Sequence, residues 1–208
     1  MTVTVVDHPL VRHKLSVLRD RATNSAEFRR VAGEIGTLLA YEATRDLPLA
    51  AVDVHTPLET MTGEQLAGPD VVLVPLLRAG LALLDPLLHL LPNARVGFIG
   101  LYRDESTHQP HVYYSKLPDQ LGERRLLLLD PMLATGGSTS AACNILKEAG
   151  ARHLTLVCLV AAPEGVARME ADHPDVDVVV ASLDRQLNAA AYILPGLGDA
   201  GDRIFGTV

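Results

Sequence analysis

Leu126-Leu127-Leu128-Leu129-Asp130-Pro131-Met132-Leu133-Ala134-Thr135-Gly136-Gly137-Ser138-Thr139 is the stretch on which the reading of this chain turns. Four consecutive leucines fit a strand covered on both faces, as in a parallel sheet. The strand ends on a carboxylate, a short loop follows, and two glycines with three hydroxyl residues open a helix. In open α/β sheets, ligands sit at the carboxyl ends of strands. Glycines let the backbone approach a ligand and turn its amides inward, and a helix N-terminus adds a partial positive charge. The pattern predicts an anion site, most naturally for a phosphate. Asp130 has the wrong charge for phosphate, so its expected partner is a pair of hydroxyls or a metal. A carboxylate beside a phosphate cradle suggests a ribose phosphate. A strand-to-helix turn that holds nothing is the alternative for this segment taken alone.

The surroundings agree with that sheet. From Leu49 onward short β-rich runs alternate with helical ones. The runs are Ala50 to His55, Val71 to Val74, Val96 to Tyr102, Leu126 to Leu129, Leu154 to Ala161 and Val176 to Ala181. Candidate helices lie at Ala79 to Leu91, Ser140 to Ala149 and Pro163 to Asp172, with Gly150 placed as a C-cap. Alternation of this kind implies right-handed βαβ units and an α/β fold with an open, mostly parallel sheet flanked by helices. Ahead of it, His8 to Arg45 reads as helical. Asn24 and Ser25 offer caps, Glu27 stands at capping-box distance, and Phe28, Val31, Ala32, Ile35, Leu38 and Leu39 share one face. Arg103 to Pro118 is polar and weakly periodic, which suits either a flexible flap near a site or a surface hairpin.

With 208 residues and no linker or repeat, the chain is expected to form a single domain, 1–208. Eighteen basic residues against 25 acidic ones give a net charge of -7, and aromatics are 4% with no Trp. That balance argues against a nucleic-acid or anionic-membrane surface. No apolar run reaches the roughly 18 residues of a membrane helix, because Asp85 and Pro86 interrupt the longest candidate. The N-terminus carries no basic segment followed by an apolar core. Cys143 and Cys158 lack metal or redox spacing and suit a reducing compartment. The expectation is a soluble, cytoplasmic protein.

Two signals mislead. Gly196-Leu197-Gly198-Asp199-Ala200-Gly201 satisfies GxGxxG, but the chain that remains is too short for a dinucleotide-binding unit. His108 and His111 have no Cys or acid cluster beside them and are expected to be solvated loop residues.

The stretch from Asp130 to Ser138 resembles the phosphoribosyl diphosphate loop of type I phosphoribosyltransferases, and its wording is closest to the uracil phosphoribosyltransferases. Most relatives place two adjacent acids at the strand end. Here Pro131 follows the single Asp130, a departure that points away from purine enzymes. Val74-Pro75-Leu76-Leu77-Arg78-Ala79-Gly80, Arg103 after its strand, and the opening from His8 to Leu15 also match the family. The tail from Ala191 to Asp202 resembles its uracil-binding segment.

The resemblance implies transfer of the phosphoribosyl group from 5-phosphoribosyl 1-diphosphate to uracil, giving UMP and diphosphate in pyrimidine salvage. It implies that Arg78, Arg103, Asp130, Pro131, Met132, Leu133, Ala134, Thr135, Gly136, Gly137, Ser138 and Asp199 bind phosphoribosyl diphosphate. Ile193, Gly198, Asp199 and Ala200 would bind uracil, with Arg103 and Asp199 acting in catalysis. It further implies Mg2+ arriving with the diphosphate rather than on a protein metal site, a homo-oligomer (dimer or tetramer), and GTP activation in some members. A phosphoribosyltransferase for another base, and a regulatory RNA-binding protein on the same fold, are the alternatives.

Overall fold

The computed structural model describes residues 1–103 and 110–207. An edge strand, β1 (Val3–Val5), leads into helices α1 (Pro9–Arg19) and α2 (Ser25–Ala43). Next come β2 (Leu49–His55) and β3 (Thr60–Leu66). The alternating part runs β4 (Val72–Leu77), α3 (Leu81–Leu90), β5 (Arg95–Val96), β6 (Phe98–Arg103), β7 (Pro110–Lys116) and β8 (Arg125–Leu129). It continues with β9 (Met132–Leu133), α4 (Gly137–Glu148), β10 (His153–Ala161), α5 (Pro163–Asp172) and β11 (Asp177–Leu183). The tail holds β12 (Gln186–Leu187), β13 (Ile193–Leu194) and α6 (Ala200–Phe205).

The central sheet is ordered β1-β11-β10-β8-β4-β6-β7, and β5 and β9 pair with β4 and β10. Its pairs are parallel except β6 with β7. The four leucines of β8 explain why both faces must be covered. Leu127 and Leu129 join the core under α1, α2 and α3, while Leu126 and Leu128 join the one under α4 and α5. Burying each leucine side chain contributes roughly 1.5–3 kcal/mol, so β8 anchors the loop that follows it. The expected apolar face of α2 is buried at Phe28, Val31, Ala32, Ile35 and Leu39. Gly33 lets α3 approach, since a Cβ there would stand 2.8 Å from Pro86 Cγ.

Several expectations need correction. The run His8 to Arg45 is two helices, because α1 ends on Asp20 and α2 is capped afresh by Asn24, whose side chain accepts from Glu27 N. Glu27 pairs with Arg30 instead of closing a capping box. The strand at Ala50 to His55 lies outside the central sheet, in an antiparallel ribbon with β3. The sequence of β3, Thr-Met-Thr-Gly-Glu-Gln-Leu, buries neither face and so gives no alternation to read. Val96 to Tyr102 breaks at Gly97 into two strands that both pair with β4. Residues 110–116 of the polar segment form the return strand of a hairpin with β6, while 104–109, including His108, lie outside the described residues.

Candidate active site

The carboxyl ends of β8 and β4 supply the two loops of the site. After β8 the chain stays tied to β10: Asp130 N donates to Val157 O, and Pro131 O accepts from Leu159 N at 3.0 Å. Gly136 turns the chain into α4 with a positive φ of 77°, a region that disfavours a side chain. Gly165, in α5, closes the packing from behind, because a Cβ there would lie 2.4 Å from Ala134 O. After β4, Gly80 has the same role against β8, with a Cβ falling 2.3 Å from Leu129 O. Gly137 is different: a Cβ there would meet only Thr135 Oγ1, at 3.7 Å. Its bareness leaves room in front of the helix.

These loops enclose a cavity of about 220 Å3 lined by Leu76 to Ala79, Leu101, Asp130, Met132 and Ala134 to Thr139. The N-terminus of α4 opens onto it. That helix is braced by a buried group: Ser140 Oγ donates to Asp172 at 2.7 Å, and His173 lies 3.0 Å from Ser140 O through Nε2 and 3.1 Å from Lys147 Nζ through Nδ1. Burial, then the neighbouring Lys147 charge, hold His173 below its ordinary pKa. It therefore stays neutral at pH 7, with Nδ1 accepting from Lys147 and Nε2–H donating to Ser140 O.

Among the described residues Asp130 is the one carboxylate lining this cavity. Thr139 Oγ1 donates to it at 3.0 Å and Met132 N at 3.3 Å. Burial outweighs both bonds and pushes its pKa up to about 6. A carboxylate held at that cost is poised to accept from hydroxyls or face a cation.

A second cavity, about 250 Å3, is lined by Met132, Ala134, Thr135, Ala190 to Ile193, Gly198 and Asp199. Met132, Ala134 and Thr135 therefore form a partition with one face in each chamber. The tail that makes the far wall is held by Asp184, which accepts from Arg19, Ser182 Oγ and Gly196 N. Gly196 has a φ of 61°, and a Cβ on it would lie 2.1 Å from Ile193 O, so no other residue fits this turn. Asp199 caps α6 by accepting from Asp202 N at 3.0 Å.

Most of the expected site residues thus converge. Arg78, Asp130, Met132, Ala134, Thr135, Gly136, Gly137 and Ser138 line the first chamber, and Ile193, Gly198 and Asp199 the second. Pro131, Leu133 and Ala200 are buried within the fold instead, with Leu133 and Ala200 in the core. Arg103 ends β6, and its side chain lies outside the described residues. Reading the residues did not find Leu76, Leu77, Leu101 or Tyr192, which line the chambers without any polar motif to mark them. Arg19 and Asp184 carry no local signal because their partnership exists only in the fold.

The family model for uracil phosphoribosyltransferase matches residues 5–207. The chain is 55% identical to a uracil phosphoribosyltransferase of Shouchella clausii, covering 99% of this chain and 98% of that one. It is 56% identical, over the same shares, to one of Symbiobacterium thermophilum. Among solved structures, the AQ2163 protein from Aquifex aeolicus superposes with a TM-score of 0.93 at 38% identity, covering 99% of both chains. The adenine phosphoribosyltransferase of Trypanosoma brucei shares the fold, with a TM-score of 0.56 at 13% identity over 86% of this chain and 82% of that one.

Proposed function

The chain belongs to the uracil phosphoribosyltransferase family, and from that premise we propose that its two chambers divide the substrates, phosphoribosyl diphosphate beside Asp130 and uracil beside Asp199. The protein is a pentosyl transferase that moves the phosphoribosyl group to uracil, giving UMP and diphosphate in pyrimidine salvage. One observation carries the division of labour: the partition Met132–Ala134–Thr135 belongs to both cavities, so a ribose bound in one chamber faces a base bound in the other.

The bond from the ribose C1 carbon to the diphosphate oxygen breaks as a bond forms to the uracil nitrogen, which gives up its proton. Positive character builds on the ribose and negative charge on the leaving oxygens. Donors placed at those oxygens hold the transition state more strongly than the substrate. Arg78 takes that position in the first chamber, and the family resemblance adds Arg103. The Thr135 to Thr139 turn and the α4 amides hold the 5′-phosphate, and Asp130 accepts from the ribose hydroxyls. Asp199 orients the base. The tail's backbone groups would read its carbonyl and N–H edges, and an unpaired edge would reject other bases.

Mg2+ is part of this proposal. Among the described residues no cluster of three or more His, Cys, Asp or Glu is arranged to hold a metal. The carboxylate of Asp130 suits an ion that keeps most of its waters and arrives on the diphosphate. Bound there, Mg2+ would neutralise charge on the departing diphosphate.

Homo-oligomerisation belongs to the same reading. The β2–β3 ribbon exposes Leu49, Val54, Leu58, Met61 and Leu66, and an isolated two-stranded ribbon is marginal in water. A second copy of the chain laid on it would bury those side chains. No helix among the described residues is long and apolar enough to cross a membrane. Two buried free thiols suit a cytoplasmic setting.

The test is product formation from phosphoribosyl diphosphate and Mg2+ with uracil, cytosine, hypoxanthine, adenine or orotate, with and without GTP. UMP from uracil alone is expected. Turnover of a different base would overturn the assignment of the second chamber, and no change with GTP would remove activation from the reading.

A further inference from the structure

Among the described residues two arginines lie over phenylalanine rings, and they are used differently. Arg203 lies 4.5 Å from the centroid of Phe28. Its N–H groups are taken up by backbone oxygens of Leu18 at 2.7 Å, Leu197 at 2.9 Å and Asp20 at 2.5 Å. That arrangement is a structural clamp, fixing α6 to the turn between α1 and α2. Arg78 lies 5.6 Å from the centroid of Phe205. It is exposed and lines the Asp130 chamber. Among the described residues no carboxylate or carbonyl hydrogen-bonds its guanidinium.

The position of Phe205 is closely fixed although the residue is 37% exposed. Ile204, its neighbour, is buried, and Arg29 Nη1 donates to Ile204 O at 2.6 Å. Gly206 ends the helix in the left-handed region, with a φ of 66°. The ring thus stands on a short helix clamped to the N-terminal layer, and it reaches across to a loop from the centre of the sheet. An aromatic face attracts a guanidinium without using any of its N–H donors. A carboxylate in the same place would orient the arginine but also engage its donors and cancel its charge. A ring behind the guanidinium leaves both for an incoming anion.

We propose that Phe205 is a positioning residue for Arg78: its ring holds the guanidinium at the mouth of the Asp130 chamber with the N–H donors turned to the diphosphate of the substrate. The inference rests on the assignment of Arg78 to the diphosphate. It deepens that reading by adding a residue from the opposite end of the chain, beyond the base-reading tail.

The test is a double-mutant cycle. Phe205→Leu and Phe205→Tyr are made in the wild-type and Arg78→Ala backgrounds, with melting temperatures recorded. Binding of phosphoribosyl diphosphate and of inorganic diphosphate, both with Mg2+, is measured by calorimetry, and KM for uracil is measured beside it. Phe205→Leu is expected to weaken both diphosphate ligands about 2- to 5-fold, the scale of an exposed cation–π contact. Phe205→Tyr should restore binding, KM for uracil should hold, and Phe205→Leu should have no effect once Arg78 is alanine. Equal weakening in both backgrounds, or none in the wild type, would overturn the role of Phe205 alone. Should Arg78→Ala itself leave diphosphate binding unchanged, the assignment of Arg78 fails and the role of Phe205 falls with it.

Discussion

Arg19 and Asp184, 165 positions apart in the chain, form a two-point ion pair, Nη1 to Oδ2 at 2.7 Å and Nη2 to Oδ1 at 2.6 Å. Arg19 also donates to Gly196 O at 2.8 Å, so α1 holds the turn from which the second chamber's far wall is built. The Asp184 side chain is only 2% exposed, and leaving a buried charge unpartnered costs about 3–5 kcal/mol. Arg19→Ala is expected to lower unfolding stability by about that amount, less what water restores at the partly open arginine end. It should raise KM for uracil more than KM for phosphoribosyl diphosphate. A urea titration and the two KM values check this, and equal effects on both substrates would refute the local role.

The same pair sets an acid limit. Burial alone would raise the Asp184 pKa, but the bonds from Arg19 and Ser182 prevail and hold it below the ordinary 3.8. The folded state therefore favours the charged carboxylate. That contribution is present above about pH 4 and is lost as pH falls through the lower folded value. In Asp184→Asn the corresponding part of the stability slope below pH 4 should vanish.

Asp130 runs the other way. Its folded pKa of about 6 stands above the ordinary 3.8, so the folded protein prefers the neutral acid. Stability from this group is full below pH 4 and declines as pH rises to 6, by up to about 3 kcal/mol at 1.36 kcal/mol for each unit. Asp130→Asn should raise the melting temperature at pH 8 and change it little at pH 4. Loss of a charge-assisted bond to the ribose hydroxyls should cut kcat/KM roughly 10- to 150-fold. Thermal melts at the two pH values and steady-state kinetics check both halves. A variant as active as the wild type would sink the ribose assignment.

Glycines 137 and 165 separate binding from folding. A Cβ at 137 would make only an ordinary contact, with Thr135 Oγ1 at 3.7 Å, so Gly137→Ala should fold about as stably as wild type. Its methyl group would stand in the Asp130 chamber, where phosphoribosyl diphosphate is proposed to bind, and should raise KM for that substrate. Gly165→Ala must displace Ala134 O, 2.4 Å away, and should lose 1–3 kcal/mol of stability through overpacking. Melting curves beside kinetics distinguish them.

The ribbon offers a test of assembly. Leu58 is 95% exposed and Met61 48%. Changing both to Asp should shift sedimentation velocity toward a single chain while leaving the melting of the central sheet in place. An unchanged sedimentation coefficient would remove the ribbon from the proposed assembly, and a wild-type coefficient of a single chain would remove the assembly itself.

Strands buried on both faces were legible because they can be little other than runs such as Leu126 to Leu129. The turn into α4 was legible because its glycines and hydroxyls are contiguous. The ribbon was half legible: Ala50 to His55 reads as a strand, but β3 is too polar to announce a partner. The break between α1 and α2 hid inside a run of good helix formers, where only the Asn24 cap marks a fresh start. Arg19 with Asp184, and Arg78 with Phe205, could not be read at all. Such pairs are made by the fold and leave no pattern in sequence spacing.

The partition of Met132, Ala134 and Thr135 limits how this protein can be changed. If the two chambers divide the substrates as proposed, a substitution there would be felt by both at once, and selectivity for a new base could not be sought on that side without disturbing the donor sugar. On the same proposal the freedom lies on the opposite wall, at Ala190 to Tyr192, which lines the second chamber alone. A laboratory search for altered base preference, or a natural one, has that short segment as its open ground.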